Sequence, residues 1–240
     1  MQLIHPPQLE ELSSCPYLPE REKRYEFFLA GQLSSTEISQ YLALGWRKFG
    51  LYYFRPACPD CRACTPLRIP VAEFVPSRSQ RRILKKGAAL TAHFGKLRLS
   101  DRAFAIYRDH SLQRFGQEPD AEEFLLNFYL PSCPSMQTEI YLDREMVGIG
   151  FLDRGEDCLS SVYFCFDTAY ADFNVGTFSV LKEIEQTRAM GLTYYYLGYC
   201  VAGCRSLAYK DLFRPRQYFD WQGQSWQSAG EEPKGPDPAA

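Results

Sequence analysis

The sequence lacks the segments that direct a protein into or across a membrane. Its first residues, MQLIHPPQLEELSS, contain no basic start followed by an apolar stretch, so they do not predict a secretory signal. No run approaches the roughly 18 apolar residues of a transmembrane helix. The chain is not poor in hydrophobic residues, which make up 45% of its 240 residues, and this excludes wholesale disorder. We therefore expect a folded, soluble, cytoplasmic protein with no membrane partner.

Acidic residues are missing from one long stretch, although the chain as a whole is slightly acidic. The net charge is −2, yet residues 77–100 contain no Asp or Glu and seven basic residues. These are Arg78, Arg81, Arg82, Lys85, Lys86, Lys96 and Arg98. A second basic group, interleaved with aromatic residues, comprises Arg205, Lys210, Arg214 and Arg216. Because basic side chains neutralise phosphates and aromatic rings stack on bases, both groups predict binding of a polyanion, with a solvated surface as the alternative.

The nine cysteines divide into a cluster and a dispersed set. Cys58, Cys61 and Cys64 have a three-residue spacing that resembles a ferredoxin run, and a tight turn of this kind aims several sulfurs at one centre. The fourth position of that run is Arg68, so Cys15 is the candidate fourth ligand. Four cysteines suit either an iron–sulfur cluster or zinc, and the sequence does not distinguish them. A loop of thiols that binds no metal is the third possibility. The remaining cysteines are predicted to be core thiols: Cys133, Cys158, Cys165, Cys200 and Cys204.

Hydrophobic periodicity predicts an α+β fold. The apolar spacing indicates helices over residues 25–31, 35–45, 101–116 and 175–190. Alternation broken by turn signals predicts a three-stranded antiparallel meander over 138–167. Further strands are predicted over 50–56, 90–99 and 192–200. We divide the chain into a cysteine-containing N-terminal domain (1–88), a larger domain (89–222) and a disordered tail (223–240).

A glycine opens the helix predicted at 175–190. Gly176, followed by Thr177, lets backbone N–H groups approach a phosphate, and the helix dipole favours an anion there. Transferases that use acyl-CoA carry a longer pattern, Q/R-x-x-G-x-G/A, at such a site, and only Gly176 matches it. A CoA-dependent N-acyltransferase is therefore a weaker alternative, and close packing of the glycine on a strand is another.

Several further segments recur in the order that one known family shows. In the front half they are CPYLP from Cys15, GWRKFG from Gly45, YFRP from Tyr53, the CPxCxAC cluster and PSRSQRR from Pro76. In the back half they are LSSVY from Leu159, GTF from Gly176, YLGY from Tyr196, the pair Cys204-Arg205, AYK from Ala208 and FRP from Phe213. Together they resemble the aminoacyl-tRNA–protein transferases of the N-end rule. The CPxCxAC form with PSRSQRR is most similar to the bacterial aspartate/glutamate leucyltransferases, and less similar to the eukaryotic arginyltransferases.

The resemblance implies a GNAT-like acyltransferase domain behind the cysteine-containing N-terminal domain. Its members move an amino acid from aminoacyl-tRNA to the α-amine of a protein that begins with Asp or Glu, which marks that protein for degradation. The transfer requires no cofactor, because the ester of the aminoacyl-tRNA supplies the driving force. No pair of acidic residues near the motifs marks a pocket for arginine, which favours leucine as the donor amino acid. An arginyltransferase and a non-catalytic RNA-binding module remain the alternatives.

The expected reaction suggests candidate site residues. Asp167 is the candidate to orient or deprotonate the amine, and Tyr163 or Tyr209 to donate to the oxyanion or the leaving hydroxyl. Arg78 and Arg81 are candidates for a bidentate contact with the acidic side chain of the acceptor. Alternatively, the basic groups bind the phosphates of the tRNA. The full set of predicted substrate-binding residues is Arg78, Arg81, Arg82, Gly176, Thr177, Arg205, Lys210 and Arg214.

Overall fold

The computed structural model describes residues 1–228. Its strands are β1 (Gln2–Leu9), β2 (Ser13–Ser14), β3 (Glu22–Lys23), β4 (Tyr25–Gln32), β5 (Arg47–Phe49), β6 (Tyr52–Pro56), β7 (Cys64–Pro70), β8 (Leu90–Gly95), β9 (Ser135–Leu142), β10 (Glu145–Arg154), β11 (Cys158–Phe166), β12 (Tyr194–Val201), β13 (Gln217–Asp220) and β14 (Ser225–Ser228). Its α-helices are α1 (Ser35–Ala43), α2 (Arg78–Lys86), α3 (Asp101–Phe115), α4 (Ala121–Phe128) and α5 (Val175–Ala189). Two 3₁₀ helices follow β11 and β12, at Thr168–Phe173 and Arg205–Leu212. Among these described residues, no helix is long and apolar enough to cross a membrane.

An eight-stranded mixed sheet forms the centre of the molecule, in the order β14-β13-β7-β12-β11-β10-β9-β8. Neighbouring strands run antiparallel, except that β11 and β12 are parallel. The meander predicted over 138–167 is confirmed as β9, β10 and β11. β10 is buried along all its residues except the first and last, because both faces of the sheet are covered.

Helices cover both faces of this sheet. On one face α5 packs Leu181 and Ile184 against Ile69 of β7. On the other face α3 and α4 pack Ile106 and Phe124 against the meander. The prediction of an α+β fold, with a large mixed sheet flanked by helices, is confirmed.

A four-stranded antiparallel sheet, in the order β1-β4-β6-β5, holds much of the front of the chain. The helix predicted over residues 25–31 is wrong, because this segment forms β4. Its side chains alternate: Phe28 and Ala30 are buried, and their neighbours are half-buried on the opposite face. Phe28 stacks on Tyr53 of β6, with ring centroids 4.8 Å apart. A short apolar run satisfies helical and strand spacing alike, so aromatic pairing across strands decided the outcome.

The front of the chain also contributes a strand to the large sheet. β7 precedes residue 88, yet it lies between β13 and β12. Its Leu67 and Ile69 have no exposed surface. The boundary that we place at residue 88 therefore does not fall between the two sheets, because these apolar side chains complete the core of the larger one.

The predicted disordered tail begins inside the fold. Residues 225–228 form β14, which pairs with β13. The indole of Trp226 lies 5.4 Å from the ring of Tyr196, and its Nε1 donates to the carbonyl oxygen of Ala43 at 2.8 Å. The prediction of a disordered tail is therefore wrong for residues 225–228, because packing of the indole on the buried Tyr196 stabilises this strand. The rest of the predicted tail lies outside the described residues.

Candidate active site

The parallel strands β11 and β12 diverge soon after they pair. They are paired only where Cys158–Ser160 lie beside Tyr194–Tyr196. Beyond that point each strand continues with its other neighbour, β11 with β10 and β12 with β7. We call the diverging segments, residues 161–166 and 197–201, the fork. Openings at the carboxyl ends of neighbouring parallel strands are common places for a ligand.

A buried acid lies where the fork begins. Glu183 of α5 is 1% exposed, and the hydroxyl of Tyr195 donates a hydrogen bond to its carboxylate. Burial raises the pKa of Glu183 to about 7, and the hydrogen bond from Tyr195 offsets only part of that effect. Gly150 of β10 makes room, since a Cβ there would lie 3.1 Å from Oε1 of Glu183. No sequence motif marks this acid, so sequence reasoning misses it.

Two cations, Arg47 of β5 and Lys210 of the second 3₁₀ helix, lie at the fork. Nζ of Lys210 donates to the carbonyl oxygen of Tyr199 at 3.1 Å. Cζ of Arg47 lies 5.3 Å from the ring centroid of Tyr196 and 5.5 Å from that of Tyr199. Burial, together with the positive charge of Arg47, lowers the pKa of Lys210 to about 8. Sequence reasoning finds Lys210 but assigns no role to Arg47, although GWRKFG contains it.

Arg68 occupies an aromatic enclosure beside these cations. Its Cζ lies 3.7 Å from the ring centroid of Tyr194 and 4.4 Å from that of Trp226. Nε donates to Oε1 of Gln217 at 2.7 Å, and Nη1 to the hydroxyl of Tyr196 at 3.2 Å. These contacts join β7, β12, β13 and β14, which gives Arg68 a structural role.

The predicted catalytic tyrosines lie in different surroundings. Tyr163 packs against the rings of Tyr107 and Phe128, on the face covered by α3 and α4. Tyr209 is 39% exposed. Partial burial and the nearby charge of Glu183 raise the pKa of Tyr209 to about 12. The structure therefore brings Tyr209, but not Tyr163, towards the acid at the start of the fork.

Asp167 lies at the end of β11, where it makes two local contacts. It caps the first 3₁₀ helix by accepting a hydrogen bond from the N–H of Ala169 at 3.1 Å. It also forms an ion pair with Arg102 of α3 at 2.7 Å. Both contacts anchor the turn that leads into α5.

The predicted basic residues of α2 face the solvent. Arg78, Arg81 and Arg82 are exposed, as are Lys85 and Lys86. A capping box between Ser77 and Gln80 starts this helix. Because its cations form one exposed face, α2 suits an extended anionic partner better than a small buried ligand.

The other predicted binding residues lie on three elements. Gly176 and Thr177 are half-buried in the first turn of α5, whose N-cap residue Asn174 makes no capping hydrogen bond through its side chain. Arg214 is exposed, and Arg205 begins the second 3₁₀ helix. Of the eight predicted substrate-binding residues, Lys210 makes a hydrogen bond inside the fork.

Three of the predicted ligand cysteines, Cys58, Cys61 and Cys64, lie on the single connection from β6 into the start of β7, and Cys15 directly follows β2. Cys58 is buried, and Cys15, Cys61 and Cys64 are half-buried. Burial, followed by the nearby thiols, raises the pKa of Cys64 to about 12. Cys204 is one of those thiols, although the sequence predicts it as a core residue. Within residues 1–228, no three His, Cys, Asp or Glu side chains converge closely enough to hold a metal ion.

The remaining cysteines differ in burial. Cys133, Cys158 and Cys165 are buried, as predicted for core thiols. Cys200 and Cys204 are half-buried.

Comparisons with known proteins cover nearly all of the described chain. Residues 13–82 match the family model described as "Arginine-tRNA-protein transferase, N terminus", and residues 102–220 match its C-terminal counterpart. These matches define an aminoacyltransferase. An "Aspartate/glutamate leucyltransferase" of Chromobacterium violaceum is 35% identical over 222 residues, which cover 90% of this chain and 91% of that one. One of Thiobacillus denitrificans is 36% identical over 210 residues, or 85% and 87% of the two chains. The chain belongs to the aspartate/glutamate leucyltransferase family, and the predicted resemblance is confirmed.

A solved structure shares the fold. The crystal structure of FemX superposes with a TM-score of 0.50 at 12% sequence identity, covering 73% of this chain and 64% of that chain. At this level of identity the likeness concerns the arrangement of strands and helices alone.

Proposed function

We propose that the protein transfers leucine from leucyl-tRNA to the α-amine of proteins that begin with Asp or Glu. The observation that carries this proposal is the match to curated leucyltransferases over nine-tenths of the chain. The fork adds support, because it places the buried Arg47 and the half-buried Lys210 near the carboxyl ends of two parallel strands. In a cytoplasmic setting such a modification would mark its substrate for N-end rule degradation.

The reaction is aminolysis of an ester. The nitrogen of the neutral α-amine attacks the ester carbonyl of leucyl-tRNA, an amide bond forms, and the bond to the ribose oxygen breaks. The proton lost by the amine ends on that ribose oxygen. Because an α-amine has a pKa of about 7.7–8.0, a sizeable fraction is neutral at cellular pH, so positioning supplies much of the acceleration.

Tyr209 is our candidate donor to the leaving ribose oxygen. Its exposed surface can meet a substrate, whereas Glu183 is sealed inside the fold. Glu183 holds Tyr195 by a hydrogen bond and lies near Tyr209, so we assign it a positioning role.

The exposed face of α2 is our candidate contact for the tRNA. Arg78, Arg81 and Arg82 lie there with no acidic residue in the helix. Phosphate contacts of this kind carry most of the affinity for a nucleic acid without reading its sequence.

We infer that the fold is GNAT-like, with the fork as the place where the acyl donor meets the amine.

An iron–sulfur cluster or zinc on Cys15, Cys58, Cys61 and Cys64 remains a proposal about the front of the chain. Thiolates suit either group, and the contribution of the other three thiols to the raised pKa of Cys64 supports their proximity to it. Anaerobic purification followed by metal analysis and an absorption spectrum tests it. A broad brown absorbance that Cys61→Ser removes indicates a cluster, stoichiometric zinc indicates zinc, and a colourless protein free of both metals contradicts the proposal.

Purified protein incubated with labelled aminoacyl-tRNA tests the transfer itself. We expect leucine to reach peptides that begin with Asp or Glu, and not a matched peptide that begins with Ala. Transfer from arginyl-tRNA instead would identify an arginyltransferase. Turnover of acetyl-CoA without tRNA, or tight RNA binding without transfer, would contradict the proposal.

A further inference from the structure

Arg47 is a buried cation whose hydrogen-bonding capacity is largely unused. It is 7% exposed, and Nη1 donates to the carbonyl oxygen of Trp46 at 2.7 Å. Nε and Nη2 have no hydrogen-bond partner among residues 1–228. Burial lowers the pKa of Arg47, which shows that this environment disfavours its charge.

The neighbouring cation has no acidic partner either. In the described chain neither Arg47 nor Lys210 lies within 4.0 Å of a carboxylate. Other buried cations do: Lys48 pairs with Asp153 at 3.0 Å, and Arg216 with Asp211 at 2.8 Å. Asp153, which pairs with Lys48, acts on Arg47 from beyond 4.0 Å. A buried charge without a paired counter-ion is strongly destabilising, so the buried Arg47 beside the half-buried Lys210 is a feature that folding alone does not explain.

The unused edge of Arg47 has the shape of a carboxylate receptor. Nε–H and one Nη2–H point the same way from the planar guanidinium, so together they can donate two parallel hydrogen bonds to one carboxylate. The rings of Tyr196 and Tyr199 lie against the guanidinium and keep it apart from water. The ammonium of Lys210 is close enough for Arg47 to lower its pKa, which brings a second positive charge to the same place.

We propose that Arg47, with Lys210 beside it, binds the side-chain carboxylate of the first residue of the acceptor protein. This inference rests on the proposed function and names the part of the site that selects Asp and Glu. It replaces Arg78 and Arg81 in that role, because these two are exposed on α2 and free to meet phosphates. A neutral Asn or Gln in the receptor would leave both cations without a counter-ion.

Entry of the carboxylate requires a local shift. Nε and Nη2 of Arg47 are covered in the structure, so the side chains above them must move. The second 3₁₀ helix, which carries Lys210, is the adjoining element best suited to do so. Its hydrogen bonds have the weaker geometry of 3₁₀ helices, and its Tyr209 and Leu212 are exposed.

The test compares Arg47→Gln and Lys210→Met with Arg81→Gln. For the first two variants we expect kcat/KM for an Asp-starting peptide to fall about 30-fold or more, while the KM for leucyl-tRNA stays within about twofold. The preference for the Asp peptide over its Asn counterpart should shrink by a similar factor. Arg81→Gln should have the opposite effect: leucyl-tRNA binding should be weaker, and the preference for the Asp peptide over the Asn peptide should be unchanged.

A second measurement separates a lost receptor from a lost fold. Arg47→Met removes a buried, unpaired charge, so it should unfold at the same or a higher denaturant concentration than the wild type. Calorimetric binding of the Asp peptide, without tRNA, should be weakened in the folded variant. A folded Arg47→Gln enzyme that keeps its Asp-over-Asn preference, or loses tRNA and peptide affinity equally, overturns the proposal. If the wild type transfers leucine to no peptide but still binds the Asp peptide through Arg47, the proposed function fails and the receptor stands.

Discussion

At the residue scale, ion pairs inside this molecule differ sharply from those on its surface. Lys48 of β5 and Asp153 of β10 join the small sheet to the large one, and their side chains are 4% and 3% exposed. Asp153 also accepts a hydrogen bond from Ser135 at 3.1 Å. The pair is therefore enclosed and oriented, unlike Lys182 with Glu185 on the solvent side of α5.

Removing one partner of the buried pair should be costly. We expect Lys48→Met to lower the free energy of unfolding by about 3–5 kcal/mol, because it leaves the Asp153 carboxylate buried without its counter-ion. Lys182→Met, the surface control, should change it by less than about 1 kcal/mol. Urea denaturation at pH 7 measures both, and equal effects of the two substitutions would contradict the prediction.

Glu183 should make stability depend on pH in a definite direction. Burial raises its pKa from the ordinary 4.5 to about 7, so between these values the folded chain holds a proton that the unfolded chain has released. Stability therefore falls as the pH rises through this window, by up to about 1.4 kcal/mol per pH unit. Glu183→Gln removes this contribution and should gain stability relative to the wild type between pH 5 and pH 7.5. Denaturation curves for the wild type and the variant across that pH range test this prediction. A difference in unfolding free energy that does not change with pH would argue against the raised pKa of Glu183.

At the element scale, α2 is a surface helix whose basic face is available to a partner. Replacing Arg81 and Arg82 together by Gln should weaken leucyl-tRNA binding and flatten its salt dependence, by about one unit of slope for each phosphate that is no longer neutralised. Arg108→Gln, on α3 at the opposite face of the sheet, is the control and should leave the slope unchanged. Binding titrations between about 50 and 200 mM salt measure it, and an unchanged slope in the double variant would remove α2 from the interface.

The strand β14 lies beyond residue 222, where composition alone places the end of the folded chain. A chain ending at residue 222 lacks Trp226, which packs on Tyr196 and Phe219 and donates to the carbonyl oxygen of Ala43. We expect it to be less stable than a chain ending at residue 228 by about 2–4 kcal/mol, since a packed indole and a paired strand are removed together. Thermal unfolding compares them, and equal midpoints would show that β14 contributes nothing.

Sequence pattern predicted the long elements of this fold better than the short ones. The meander of β9 to β11 alternates over many residues, and α5 repeats its apolar positions over four turns. β4 spans eight residues, in which helical and strand spacing coincide. Packing against the aromatic side chains of the neighbouring β6, above all Tyr53, is what makes this segment a strand and not a helix.

At the scale of the whole molecule, the fork is assembled from distant parts of the chain. Arg47 comes from β5, Glu183 from α5 and Lys210 from the second 3₁₀ helix. Insertion of β7 beside β12 unites the front and back of the sequence in one sheet. The near-neutral net charge accordingly hides an uneven distribution of cations: those at the fork are buried or half-buried, and those along α2 are exposed.

The sequence by itself determined the α+β class, the family and the basic character of α2, because periodicity, ordered motifs and charge runs are local properties of the chain. Only the tertiary structure decided that Arg47 is buried with no carboxylate within 4.0 Å among residues 1–228, and that Glu183 is buried. Burial and pairing depend on neighbours supplied by remote segments: the tyrosines of β12 enclose Arg47, and the sheet beneath α5 encloses Glu183. Desolvation, which shifts the pKa values of Glu183 and Lys210, arises from that enclosure and has no counterpart in the sequence.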